Sequence, residues 1–233
     1  MTVTGKWQSA MVVDIKVETQ RAKTFRLALA HPSPHRAGQH YVVRLTAPDG
    51  YTASRSYSVA SPPNGSNAID LTVERLDNGE VSTFLHDELA IGDEIEVRGP
   101  IGGFFVWEGD TPALLLAGGS GIVPLMSMLR LARKTMRSDL LRLVVSVRSA
   151  DDLYYADELV GPETRVVYTR LPPPGVTRPA GRITADDIAP LIVPDTTVYV
   201  CGSSGFADTA SHLAVDLGVP VHRVRVERFG PTA

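Results

Sequence analysis

Gly118-Gly119-Ser120-Gly121-Ile122-Val123-Pro124 follows the apolar run ALLLA (113–117) and precedes a helical pattern. Glycines at a strand-to-helix turn let the backbone approach a pyrophosphate, and the helix N-terminus behind them adds N–H donors and a positive dipole end. Pro124 suits a first helical turn, where its missing N–H has no intrahelical partner to lose. Any tight turn can carry the same glycines, so the pattern draws its weight from the flanking strand and helix. Arg55-Ser56-Tyr57-Ser58 offers a planar fork of donors for phosphate, and a flat ring with a hydroxyl. The plainer reading of those four residues is an edge strand with its arginine and tyrosine outward. Gly79-Glu80-Val81-Ser82-Thr83 opens a helical stretch. Either Ser82 or Thr83 caps that helix, or its amides hold a second phosphate. Cys201-Gly202-Ser203-Ser204-Gly205-Phe206 closes another apolar run. Ligands bind at that end of an open α/β sheet, whereas a lone cysteine is otherwise an inert core residue.

Two sets of elements must hold these groups. Residues 7–108 read as strands over Met11–Val17, Thr24–Leu29, His40–Leu45, Arg55–Ala60, Ile69–Glu74 and Asp93–Arg98. Turn clusters such as HPSPH, APDG, SPPNGS and DNG separate most of them, and one helix near Val81–Leu89 interrupts them. Short strands with polar turns predict a small antiparallel barrel. Beyond Asp110 apolar runs alternate with helical patterns. The runs are 113–117, 141–147, 165–169, 197–201 and a last strand around Val221–Val226; the helices are Ile122–Met136, Tyr155–Val160, Ala185–Leu191 and Phe206–Leu217. That alternation predicts a doubly wound parallel sheet covered on both faces. The expected fold is therefore two-domain, a β-barrel over residues 1–108 and an α/β domain over 109–233.

Composition narrows the chemistry. A net charge of −3 leaves no basic surplus for nucleic acid. The single cysteine, Cys201, excludes an internal disulfide and a cysteine-ligated iron–sulfur cluster or zinc site built from this sequence alone. No metal site is expected from the six histidines, because His31 and His35 are separated by Pro32 and Pro34. No apolar run approaches the ~20 residues of a membrane span, and the first residues, MTVTGKWQSA, do not resemble a signal peptide. A cytoplasmic monomer is expected.

These motifs, in this order, resemble the ferredoxin–NADP reductase superfamily. RSYS is similar to its flavin motif, RGPIGGF (98–104) to the segment that closes its barrel, and AGGSGIVP to its nicotinamide-dinucleotide loop. CGSSGF is similar to its nicotinamide-side motif, and ERFG (227–230) to a terminus that many bacterial members set against the flavin ring. The resemblance implies a flavin-dependent NAD(P)H oxidoreductase, with roles assigned by position. Arg55 pairs with the flavin phosphate, Tyr57 lies along the isoalloxazine or ribityl chain, and Ser58 hydrogen-bonds near flavin N5, Ser56 being part of the same motif. Amides of Gly79, Glu80, Val81 and Ser82 hold the phosphate or pyrophosphate. Gly118, Gly119, Ser120 and Gly121 face the dinucleotide's pyrophosphate. Cys201, followed by Gly202, and Glu227 flank the nicotinamide, with Ser58 completing the catalytic set and Phe229 near the flavin. FAD is expected, with FMN open.

The second strand of the α/β half ends in Arg148-Ser149, with Asp151 and Asp152 beyond, and the third in Thr169-Arg170. Thr169-Arg170 resembles the family's pair for a ribose 2′-phosphate, and Arg178 and Arg182 follow, so NADPH is expected over NADH. Solvated loop charges are the alternative. The acceptor stays open: a soluble carrier such as ferredoxin or flavodoxin, free flavin, ferric iron or an oxygenase component, or, if non-catalytic, a place as a flavin-bearing subunit in a larger complex. Arg130, Arg133, Lys134 and Arg137 recur at helical spacing, and form either a basic docking face for an acidic carrier or a solvated helix face. The sequence carries no cysteine-rich ferredoxin module and lacks the terminal tyrosine of plant-type members, so electrons are expected to leave to a separate acceptor.

Overall fold

In the first half, apolar and polar residues alternate with a period of two, which buries one face of each strand. In β3 (His40–Thr46), for example, Tyr41 and Val43 are buried between more exposed neighbours. The computed structural model describes residues 5–229, and the chain divides into two compact units between Val106 and Trp107. Trp107 goes with the second unit because its ring is buried and its Nε1 donates to the Thr111 carbonyl at 2.9 Å. The division thus falls two residues before the expected boundary between residues 108 and 109.

The first unit contains β1 (Gln8–Thr19), β2 (Ala22–Leu29), β3, β4 (Thr52–Ser58), β5 (Ala68–Glu74), α1 (Glu80–Asp87) and β6 (Glu94–Ile101). The strands lie in the order β4-β3-β6-β1-β2-β5, with every neighbouring pair antiparallel. A bridge from Val59 to Leu71 and a bond from the Ala60 N–H to the Asp70 carbonyl (2.8 Å) bring the end of β4 to β5. Six strands therefore close on themselves as a Greek-key barrel, and closure removes the exposed edges that invite aggregation. It also explains why β4 stops at Ser58 instead of Ala60. Phe25, Leu27, Tyr41, Ile69, Leu71 and Val97 fill the interior, each contributing about 1.5–3 kcal/mol by burial.

The second unit contains β7 (Ala113–Gly118), α2 (Ile122–Lys134), β8 (Leu141–Ser149), β9 (Thr164–Leu171), α3 (Ala185–Ile188), β10 (Thr197–Gly202), α4 (Ser204–Asp216) and β11 (Val224–Arg228). All five strands are parallel, in the order β11-β10-β7-β8-β9. The chain winds from β7 to one side, then returns to place β10 on the other, so the strand order reverses between β7 and β10. That switch point is where open α/β sheets bind ligands, beyond the C-terminal strand ends. Leu114, Leu116, Val144 and Val200 pack under α3 and α4. The alternate residues Leu115, Leu143 and Val145 are equally buried on the other face, which α2 covers.

Two expected elements differ. Instead of a helix over Tyr155–Val160 there is a single 3-10 turn, Ala156–Glu158. Tyr155 has φ +56°, outside the helical region, and is fully buried with the Arg130 guanidinium 4.8 Å above its ring. Burying that ring overrides the helical pattern. The last strand is shorter than expected, because Val221–Arg223 forms one 3-10 turn before β11 begins.

Candidate cofactor sites

In β4 the RSYS run divides its side chains by strand alternation, Arg55 and Tyr57 to one face and Ser56 and Ser58 to the other. Arg55 is exposed; one Nη donates to the Ser54 carbonyl at 2.7 Å, and no carboxylate pairs with it among the described residues. Tyr57 packs partly against the barrel core, and burial pushes its phenol up to about 12, against the pull of Arg55. At neutral pH it is a hydrogen-bond donor. Ser58 is buried, Ser56 exposed. Across the ladder Ser58 pairs with His40, a half-buried imidazole whose burial lowers its proton affinity. His40 was not singled out from sequence, since only the register brings it beside Ser58.

Helix α1 packs near β4, and the Tyr51 hydroxyl donates to the Glu80 carboxylate at 3.2 Å. No side chain caps α1. Ser82 Oγ instead donates to the Gly79 carbonyl (3.1 Å) and accepts the Leu76 N–H (3.2 Å), and Thr83 Oγ1 donates to the Leu76 carbonyl (3.3 Å). Those hydroxyls fasten the preceding turn, so neither is the cap. The Gly79 N–H is used as well, bonding to the Leu76 carbonyl at 3.0 Å. The first-turn amides of Glu80, Val81 and Ser82 are the ones with no intrahelical acceptor. An exposed, carboxylate-free guanidinium, an uncapped helix start and a neutral phenol together suit a phosphorylated aromatic cofactor such as a flavin nucleotide.

In the second unit each loop glycine has its own reason. Gly119 sits at φ +55° with open space around it, so its backbone conformation requires glycine. At Gly121 any Cβ would overlap the carbonyl of Cys201, so the loop after β7 rests on the end of β10. Gly118 ends β7, and Ser120 lies between in one 3-10 turn leading into α2. This close approach of backbone brings the loop before α2 against the end of β10 at the switch point.

Cys201, one residue before the end of β10, lies beside Ala117 of β7 and Glu227 of β11. Burial and the neighbouring Glu227 charge push its thiol well up, so it stays protonated at neutral pH. Glu227 has no ion pair among the described residues, and burial raises its carboxyl to about 7. The Phe229 N–H donates to the Gly202 carbonyl at 2.9 Å, which holds the end of the described chain against the same turn. Gly230, the last residue of the ERFG run, lies outside the described residues.

The arginines separate into two groups. Arg148 and Arg170 are exposed at the ends of β8 and β9, where the ladder is irregular between the pairs Val147–Tyr168 and Ser149–Leu171, with half-buried Thr169 beside them. Neither arginine has an ion pair among the described residues. Arg178 does not join them: its Nε and one Nη each reach the Asp187 carboxylate at 2.7 Å, and it also donates to three carbonyls, including that of Arg182. Asp152 accepts from the Ser149 N–H and hydroxyl, closing a turn. On α2, Arg130 pairs with Glu158 and Arg133 with Glu163, and Arg137, past the end of the helix, lies 3.8 Å from Asp139. Of the two readings of these positions, the basic docking face is thus the weaker, since Arg130 and Arg133 are paired within the unit.

Comparison with known proteins agrees with both units. Residues 9–106 match the oxidoreductase FAD-binding domain family and residues 115–212 the oxidoreductase NAD-binding domain family. The glycine betaine monooxygenase reductase subunit of Pseudomonas aeruginosa is 32% identical over 94% of this chain and 63% of its own. The 2-halobenzoate 1,2-dioxygenase electron transfer component of Burkholderia cepacia is 33% identical over 84% of this chain and 59% of its own. The chain thus spans about three-fifths of the length of these relatives. Among solved structures, the flavohem-like FAD/NAD-binding domain of nitric oxide dioxygenase from Vibrio cholerae O1 biovar El Tor aligns with a TM-score of 0.83 at 26% identity, covering 96% of this chain and 99% of that one. With an FAD-binding barrel and an NAD-binding α/β unit together accounting for most of its length, the chain belongs to the ferredoxin–NADP reductase superfamily.

Proposed function

We propose that this flavoprotein NAD(P)H reductase is the electron-supplying component of an oxygenase system, taking reducing equivalents from NADPH and passing them to a soluble iron–sulfur carrier or directly to the oxygenase. The observation that carries the acceptor is the character of the relatives, which include a monooxygenase reductase subunit and a dioxygenase electron transfer component. The 233 residues hold one cysteine, too few to ligate an iron–sulfur cluster within this sequence. When bound, the flavin supplies the conversion between two-electron hydride chemistry and one-electron transfer.

The protein's own residues bind and orient. Arg55 and the amides of Glu80, Val81 and Ser82 anchor the flavin phosphates. Tyr57, held neutral, donates to the flavin, and Ser58 places a hydroxyl at the buried end of the same strand. Gly119–Gly121 and the α2 N-terminus take the dinucleotide pyrophosphate. Arg148, Thr169 and Arg170 take the ribose 2′-phosphate, which selects NADPH. Cys201 stays a thiol and Glu227 titrates near neutrality, so at the nicotinamide they act by positioning and polarisation, with Gly202 and Phe229 shaping the same turn. The reading is tested by NADPH oxidation with a panel of acceptors: a plant-type [2Fe–2S] ferredoxin, a Rieske ferredoxin, flavodoxin, free FMN and ferric citrate. A kcat/KM for an iron–sulfur carrier well above that for free flavin and ferric citrate is expected. Preference for free flavin or ferric citrate would replace the oxygenase role with flavin or ferric reduction.

A further inference from the structure

Gly118 has φ −115° and ψ 110°, a strand conformation open to any residue. Backbone freedom therefore does not explain this glycine. A Cβ built on it would lie 2.5–2.6 Å from Cγ and Cδ1 of Phe206, far inside van der Waals contact. The same ring meets Gly202, where a Cβ would lie 2.8 Å from Phe206 Cδ1 and 3.0 Å from the Gly118 carbonyl oxygen. Phe206 stands in the first turn of α4, whose start is fixed by the Ala207 N–H bonding to the Ser203 carbonyl at 2.8 Å. Its ring is half-buried, packs against the core under α4 and lies against both glycines. Those glycines end β7 and β10, the strands on either side of the switch point.

We propose that Phe206 is a positioning residue: its ring braces the end of β7 against the end of β10, so that the dinucleotide loop and the Cys201–Gly202 turn hold one fixed spacing. Gly121 completes the interlock from the other side by resting on the Cys201 carbonyl. A change at the ring then alters the spacing between the turn that faces the nicotinamide and the dinucleotide loop, while the loop's own conformation, set at Gly119 and Gly121, is kept. The proposal rests on reading Cys201-Gly202 as the nicotinamide side of the site.

Two measurements on the flavin-loaded protein test it. The first is a thermal-stability cycle of Gly118→Ala, Phe206→Ala and the double variant. Because strand angles admit alanine, Gly118→Ala should lower the Tm of the second unit by about 5 °C, through ring overlap alone. In the Phe206→Ala background the same change should add no further loss. Equal losses in both backgrounds would overturn the brace. The second is stopped-flow flavin reduction by NADPH. Phe206→Ala should slow the limiting rate roughly tenfold while Kd for NADPH changes less than about twofold, with Phe206→Leu between it and the wild type. If Phe206→Ala is too unstable, Phe206→Leu carries both measurements. A coupled cycle with a wild-type limiting rate would reduce Phe206 to a structural residue and end the proposal. Cys201→Ser separates the underlying reading, since a wild-type rate there removes the nicotinamide assignment whatever the thermal cycle shows.

Discussion

Replacing Glu227 with glutamine should make the protein more stable at alkaline pH and leave it nearly unchanged under mild acid. Glu227 lies on β11 beside Cys201, away from any counter-charge among the described residues, and burial raises its carboxyl from 4.5 to about 7. The folded state thus holds the proton more tightly than the unfolded chain. The associated stability is fully present below about pH 4.5 and is lost as pH rises through about 7. A tenfold change in proton affinity is about 1.4 kcal/mol, so the charged carboxylate weakens the fold by about 3 kcal/mol at most. Solvent access at the strand end reduces this to about 1–2 kcal/mol. Urea unfolding at about pH 5 and about pH 8.5 measures the difference, with other titrating groups common to both proteins and cancelling. Trp107, buried in the second unit, reports that unit's unfolding by fluorescence once Trp7 is changed to phenylalanine. The Glu227→Gln advantage should open with pH. A gap of equal size at both pH values would refute the reasoning.

Arg55→Ala should keep the barrel intact but weaken flavin binding roughly 10- to 150-fold, the value of one charge-assisted contact of about 1.5–3 kcal/mol; equilibrium dialysis of the flavin checks this, and unchanged affinity returns Arg55 to a plain strand position. Arg170→Ala should lower kcat/KM for NADPH by a similar factor and leave NADH nearly untouched; steady-state kinetics with both cofactors decide, and an equal loss would make the arginine structural. Cys201→Ser and Glu227→Gln should slow flavin reduction at saturating NADPH with little change in Kd, and normal rates in both would remove them from the hydride step.

Fold legibility followed the strength of each periodic signal. The β7 to β8 run, with near-continuous apolar strands and a glycine turn between strand and helix, is legible to within two residues at each end, and β1 to β6 follow from alternation and turn residues. The helix misread over Tyr155–Val160 shows the limit: a left-handed Tyr155 buried under Arg130 is a tertiary fact with no local mark. The arginines show it again. Arg148, Arg170 and Arg178 look alike in sequence, and only the fold gives Arg178 to Asp187. In sequence Gly79 and Gly118 suggest backbone roles, whereas space, beside Ser82 and Phe206, requires glycine at each. The aromatic two residues after Ser204 was the available signal for that second contact, and the strand order was needed to see it.

The central claim, that one chain binds flavin and reduces it with a nicotinamide cofactor, is tested most directly by anaerobic titration of the reconstituted protein with NADPH while flavin absorbance is followed. The account predicts one flavin per chain, identified as FAD after heat release, and loss of its oxidised absorbance on stoichiometric NADPH. A protein that retains no flavin after reconstitution, or whose flavin stays oxidised with both NADPH and NADH in excess, would contradict it.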